Sequence, residues 1–118
     1  MSNDTPRRKW LFYLDDMINF AEKVQKYTSN LDQINFIANE LYYDATLRNL
    51  ELIGEAATKI PLQIRNNYPD IPWRKIIATR NRVIHNYLGI DNDIIWSIVC
   101  DEIPILIVKL RQLKELSQ

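Results

Sequence analysis

L-R-N-L-E-L-I-G-E-A-A-T-K-I, Leu47 to Ile60, is apolar on two sides when wound at helical spacing. Leu47, Leu50, Ile53, Gly54 and Ala57 make one face, with Leu52 and Ala56 beside it. A helix that is apolar on two sides belongs at the centre of a bundle, because each face needs its own neighbour. The pattern predicts helix from Tyr43 to Ile60, with room for a bend, and Pro61 stops it. Gly54 in mid-helix costs about 1 kcal/mol relative to alanine. Its return is close approach by a second helix or a backbone contact with a ligand. Glu51 and Glu55 project from this segment and can pair with Arg48 or Arg80, or form surface or intrahelical ion pairs.

Upstream, a first helix is expected to start at Asp4 or Thr5 with Pro6 in its first turn, where a missing N–H is harmless. Trp10, Leu14, Met17, Ile18, Ala21 and Val24 form its apolar stripe, and it should end near Tyr27. Ser29, with Asp32 three residues on, resembles a capping box for a second helix that turns Ile34, Ile37, Ala38 and Leu41 inward. Downstream, residues 61–71 read as a connector with a short turn. Pro72 opens the next helix, which is expected to end at Gly89 as a left-handed cap. Asp91 or Asn92 caps the last helix, lined by Ile94, Ile95, Ile98, Val99, Leu106, Leu110 and Leu113 and bent by Pro104. Two glycines, five prolines and 47% hydrophobic content fit this pattern. The fold class is therefore all-α, an antiparallel bundle of four to five helices built as one domain over residues 1–118.

No apolar run approaches the ~20 residues of a membrane span, and M-S-N-D-T-P-R-R-K-W lacks the apolar core of a signal peptide. One cysteine excludes an intrachain disulfide and suits a reducing cytoplasm, so a cytoplasmic location is expected. Cys100 sits in an apolar helix and reads as core rather than as a nucleophile. No His/Cys/Asp cluster has metal-ligand spacing and no glycine-rich phosphate loop is present, so neither metal nor cofactor is expected.

The charge is uneven. Between Asp70 and Asp91 there is no acidic residue, but Arg74, Lys75, Arg80 and Arg82 fall there, four of the fifteen positive charges. The remainder carries eleven basic against fifteen acidic residues, a net −4. A cationic patch on a mildly acidic molecule attracts a polyanion locally. Inside this window R-N-R-V-I-H-N-Y, Arg80 to Tyr87, holds the one histidine of 118 residues. Ile76, Ile77, Val83, Ile84 and Leu88 recur at helical spacing as a buried stripe, and Arg80 falls on it. A guanidinium there needs a carboxylate, a partner chain or a phosphate. Asn81 and His85, four apart, share a face, whereas Arg80 and His85 are offset by roughly 140° at about 100° per residue.

R-N-x-x-x-H followed by x-Y resembles the signature of the HEPN superfamily, specifically the HepT-like toxins of prokaryotic toxin–antitoxin pairs. R-N-L-E-L-I-G-E-A-A (Arg48 to Ala57), Y-P-D-I-P-W-R (Tyr68 to Arg74) and Y-L-G-I-D (Tyr87 to Asp91) resemble that family too, and in its order. Essentially the whole chain is covered, and no position departs from the signature.

The chemistry of these side chains suits RNA cleavage. Imidazole gives and takes protons near neutrality, arginine offers a permanent planar charge to phosphate oxygens, and Asn81 can orient the imidazole. His85 and Arg80 are thus the catalytic candidates, with Asn81 supporting. Arg74, Lys75 and Arg82 are candidates for RNA contact, or solvated charges. Trp73, Tyr68 and Tyr87 can stack on bases, although core packing suits Trp73 better. Transesterification needs two proton-handling groups and the chain has one histidine. A two-fold homodimer would supply the second copy. The resemblance implies the same: a shared, metal-independent cleft producing a 2′,3′-cyclic phosphate and a 5′-hydroxyl. It also implies that Tyr87, in the H-x-Y position, accepts AMP from a partner MNT-type nucleotidyltransferase antitoxin. The other class of function is a non-catalytic helical module binding nucleotide or protein through the same cleft. A degenerate relative of that kind would be expected to lack one of Arg80, Asn81, His85 or Tyr87.

Overall fold

The computed structural model describes residues 6–86 and 89–118, with side chains from residue 9 onward. The helices in chain order are α1 (Pro6–Thr28), α2 (Gln33–Ala38), α3 (Glu40–Thr58), α4 (Leu62–Asn67), α5 (Trp73–His85), α6 (Asn92–Ser97) and α7 (Ile103–Ser117). A π turn, Ile98–Glu102, joins α6 to α7. The described residues contain no strand, and the architecture is the expected all-α bundle. Among them no helix is long and apolar enough to cross a membrane.

The doubly apolar α3 is central, packed against α1 on one side and α5 on the other, while α7 closes against α1. The α1 stripe of Trp10, Leu14, Met17, Ile18, Ala21 and Val24 is buried throughout. It meets Leu47, Leu50, Ile53 and Ala57 of α3 and Leu106, Leu110 and Leu113 of α7 in one core. Lys114 to Asp15 at 2.7 Å and Arg111 to Glu22 at 2.7 Å fasten the outside of the α1–α7 seam.

Three expectations fail for reasons visible in the backbone. The second helix does not carry Ile34 through Leu41 inward on one face, because it ends at Ala38 and α3 begins at Glu40. Asn39 is extended and its side-chain oxygen accepts the Tyr42 N–H at 3.1 Å, capping α3. The break changes the phase, so Ile34 is 79% and Leu41 75% exposed, Ile37 and Ala38 are exposed, and Phe36 is the α2 residue that is buried. The α2 cap is Asp32, which accepts the Asn35 N–H at 2.8 Å; Ser29 takes no part in it. Phe36 then contacts the rings of Tyr43 and Trp96, at 5.3 and 5.1 Å between centroids. The Tyr43 hydroxyl donates to Asn92 at 2.7 Å, fixing the start of α6. Burial, with Asp44 adding, pushes that hydroxyl's pKa up, which suits a donor.

Second, Cys100 is exposed rather than in the core. Pro104 cannot donate to the carbonyl four residues back, and the π turn absorbs the misfit: the Ile103 N–H reaches Ile98 O, five back. The inserted residue rotates Cys100 outward. Partial desolvation and the adjacent Asp101 push its thiol pKa up. Third, α5 stops at His85 with Asn86 as its C-cap, and Gly89 has no positive φ. Asp91 caps α6, accepting the Asp93 N–H at 2.8 Å. Residues 61–71 are a connector as expected, with α4 as an added short helix within it.

Candidate active site on α5

Helix α5 packs against α3, with Ile76 and Arg80 at the contact with Gly54 and with Trp73 and Val83 on the same side of α5 at helical spacing. Trp73 and Val83 are buried, at 7% and 2% exposure, and the Trp73 indole N–H donates to Tyr68 O at 3.0 Å. Ile76 and Ile77 are half-buried and Ile84 is 43% exposed, so the apolar stripe is narrower than the sequence suggests. The reason is that α3 is the main helix against which α5 packs, and Ile77 and Ile84 lie off that seam.

Arg80 lies on the seam because Gly54 makes space for it. A Cβ placed on Gly54 would meet Arg80 Cβ at 2.1 Å and Ile76 O at 3.0 Å. The side chain therefore crosses α3 at its closest point, and its head meets the next residue of that helix. Glu55 Oε2 accepts from Arg80 Nε at 3.0 Å and from Nη2 at 2.6 Å. Asn81 Oδ1 accepts from Nη1 at 2.7 Å. The carboxylate that a guanidinium on an apolar stripe requires is thus supplied within one chain. Glu51 pairs instead with Arg48, at 2.9 Å.

Arg74, Ala78, Asn81 and His85 form a second line along α5, all of them exposed. No hydrogen bond joins Asn81 to His85; the amide oxygen of Asn81 is engaged by Arg80 instead. Arg74 and Asn81 border a concavity of about 1020 Å³ shared with Arg65, Asn66 and Trp73. Arg65 was not among the residues singled out by sequence. It belongs to a short connector helix, and its Nε–H bonds Ile60 O at 3.0 Å, which no periodicity announces.

Arg82 faces the other way, into a groove of about 410 Å³ between α5 and α6 walled by Ile90, Ile94 and Ile98, and Lys75 borders both this groove and the concavity. Lys75 is paired with Glu102 at 2.9 Å, while Arg82 is exposed. Arg82 and His85 occupy the last turn of α5, where the negative end of the helix dipole favours cations. Tyr87 lies outside the described residues. Among the described residues, no group of three or more His, Cys, Asp or Glu side chains could hold a metal ion. The structure thus brings Arg80, Asn81 and Glu55 into contact, leaves His85 open on an adjoining face, and splits the remaining cations over two sides of one helix.

Residues 17–113 match the family described as Ribonuclease HepT-like. A Methanocaldococcus jannaschii protein provisionally named an RNase is 37% identical over 92 residues, covering 78% of this chain and 84% of its own. A second from the same organism, with a name of the same kind, is 36% identical over 99 residues, covering 84% of this chain and 85% of its own. A Thermococcus cleftensis protein provisionally named ribonuclease HepT is 33% identical over 103 residues, covering 87% of this chain and 94% of its own. No solved structure matches the chain. The matched span contains every residue of the α3–α5 contact.

Proposed function

The chain belongs to the HepT-like ribonuclease family, and from that premise we propose that it is a toxin cleaving RNA by metal-independent transesterification. The supporting observation is the state of Arg80, a guanidinium anchored by Glu55 and Asn81 on the helix that leaves His85 exposed. In this reading one imidazole takes the proton of a ribose 2′-hydroxyl. The freed oxygen attacks phosphorus, the bond from phosphorus to O5′ breaks, and a protonated imidazole returns a proton to O5′. Arg80 steadies the charge that accumulates on the non-bridging oxygens. The products are a 2′,3′-cyclic phosphate and a 5′-hydroxyl.

Base and acid are His85 and its copy in a two-fold homodimer. Arg80 gives no support to that dimer, since its charge is met inside one chain. What supports it is the single histidine, together with Ile77 and Ile84 left partly uncovered beside the Asn81–His85 line. Arg74, Lys75 and Arg82 contact the RNA backbone, Lys75 after exchanging Glu102 for phosphate. A nucleotidyltransferase antitoxin silences the toxin by attaching AMP to Tyr87, two residues beyond His85. The added phosphate and base cover the site.

The test is cleavage of a defined single-stranded RNA by the purified chain and by His85→Ala. The variant should lose roughly 10²–10⁴-fold in rate and keep its thermal stability, because an exposed imidazole contributes little to packing. Undiminished cleavage by His85→Ala would refute the reading.

A further inference from the structure

We propose that Glu55 is a positioning residue for this cleavage: it fixes the Arg80 guanidinium so that its remaining N–H donors are presented to the scissile phosphodiester. The inference rests on the reading above, in which Arg80 meets that phosphate.

Guanidinium carries five N–H donors, one on Nε and two on each terminal nitrogen. Glu55 Oε2 takes the Nε donor at 3.0 Å and one Nη2 donor at 2.6 Å. Asn81 Oδ1 takes one Nη1 donor at 2.7 Å. One N–H on Nη1 and one on Nη2 remain, two donors for non-bridging phosphate oxygens. Both anchors sit on helices, Glu55 on α3 and Asn81 on α5 itself.

Without Glu55, the long arginine side chain would sample several rotamers before binding, and ordering it would consume part of the phosphate's binding energy. With Glu55, that ordering is done in advance. Gly54 and Glu55 act as a unit: the glycine lets α5 come close enough for the Arg80 stem to cross α3, and the next residue receives its head. The pair is also only partly buried, at 28% exposure for the Arg80 side chain and 45% for Glu55, so the guanidinium stays reachable by substrate. Glu55 touches neither substrate nor reacting atoms in this account; it acts through Arg80.

A double-mutant cycle on the full chain tests this, with steady-state cleavage of one defined RNA by wild type, Glu55→Gln, Glu55→Ala, Arg80→Ala and the two doubles. Glu55→Ala should lower kcat by about 10²-fold, the scale of a small misplacement of a reacting group, with a smaller change in KM. Glu55→Gln keeps an oxygen for the same two N–H groups but loses the charge assistance, and should show a smaller, still measurable loss of roughly three- to tenfold. In the Arg80→Ala background either change should cost no more than about twofold, because an indirect contribution vanishes with its target. The pH–rate limbs should be unmoved in Glu55→Gln. A Glu55 variant as fast as wild type overturns the proposal, and so does a loss that multiplies in the Arg80→Ala background. Disappearance of a pH limb in Glu55→Gln would make Glu55 a proton-transfer group and overturn it as well. Should Glu55→Ala unfold, Glu55→Gln carries the cycle alone. Wild-type activity in Arg80→Ala would be a different failure, that of the cleavage reading itself.

Discussion

Gly54 and Arg80 occupy nearly the same space at the α3–α5 crossing: a Cβ on residue 54 would lie 2.1 Å from Arg80 Cβ. Helix backbones this close cannot yield to a methyl group by a side-chain rotation, since Ile76 O would also stand 3.0 Å away. Gly54→Ala should therefore push α5 off α3. The overpacking cost is about 1–3 kcal/mol, against a helix-propensity gain of about 1 kcal/mol. The net expectation is a lower Tm and a larger fall in cleavage than in stability, because Arg80 loses its register with Glu55. Thermal unfolding followed by circular dichroism, with activity on the same preparation, checks both. A variant as stable and as active as wild type would mean the contact is not tight in solution.

This contact also marks what was legible in the sequence. The two apolar faces of α3 and the regular stripe of α1 announced a bundle with α3 at its centre, since periodicity carries that information directly. Gly54 announced a close approach, but not which helix would approach. The partner lies 26 residues away in sequence, and only the packed fold pairs them. Glu55 was visible as one of two carboxylates able to reach Arg80; its selection over Glu51 follows from the crossing point. The failures have local causes that periodicity does not see. One capping asparagine at position 39 broke the phase between α2 and α3, and Ile34 and Leu41 both lie exposed. One inserted residue ahead of Pro104 turned Cys100 to solvent.

The dimer is the next expectation. Static light scattering of the purified chain should give twice the monomer mass at micromolar concentration. Ile84→Glu places a charge on the 43% exposed edge beside His85. If that edge is interface, the substitution should give a monomer that is folded and inactive. A monomeric wild type that cleaves RNA at full rate would remove the second imidazole from the mechanism.

Tyr87→Phe separates acceptor from catalyst. The substitution keeps the ring and removes only the hydroxyl. The variant should cleave RNA at close to the wild-type rate, yet resist silencing when co-expressed with a cognate nucleotidyltransferase. Its intact mass should show no nucleotide adduct under conditions that modify wild type. An inactive Tyr87→Phe would place the hydroxyl in the catalytic machinery. An active variant that is still fully modified would place the acceptor elsewhere.

In this mechanism Arg and His side chains carry the chemistry without a metal ion, and end-group analysis of the RNA products in excess EDTA is the decisive measurement. A short unstructured RNA should be cleaved with the chelator present, leaving 2′,3′-cyclic phosphate and 5′-hydroxyl ends detectable by mass spectrometry. Cleavage that stops in EDTA and resumes with added divalent ions, leaving 3′-hydroxyl and 5′-phosphate ends, would contradict the mechanism.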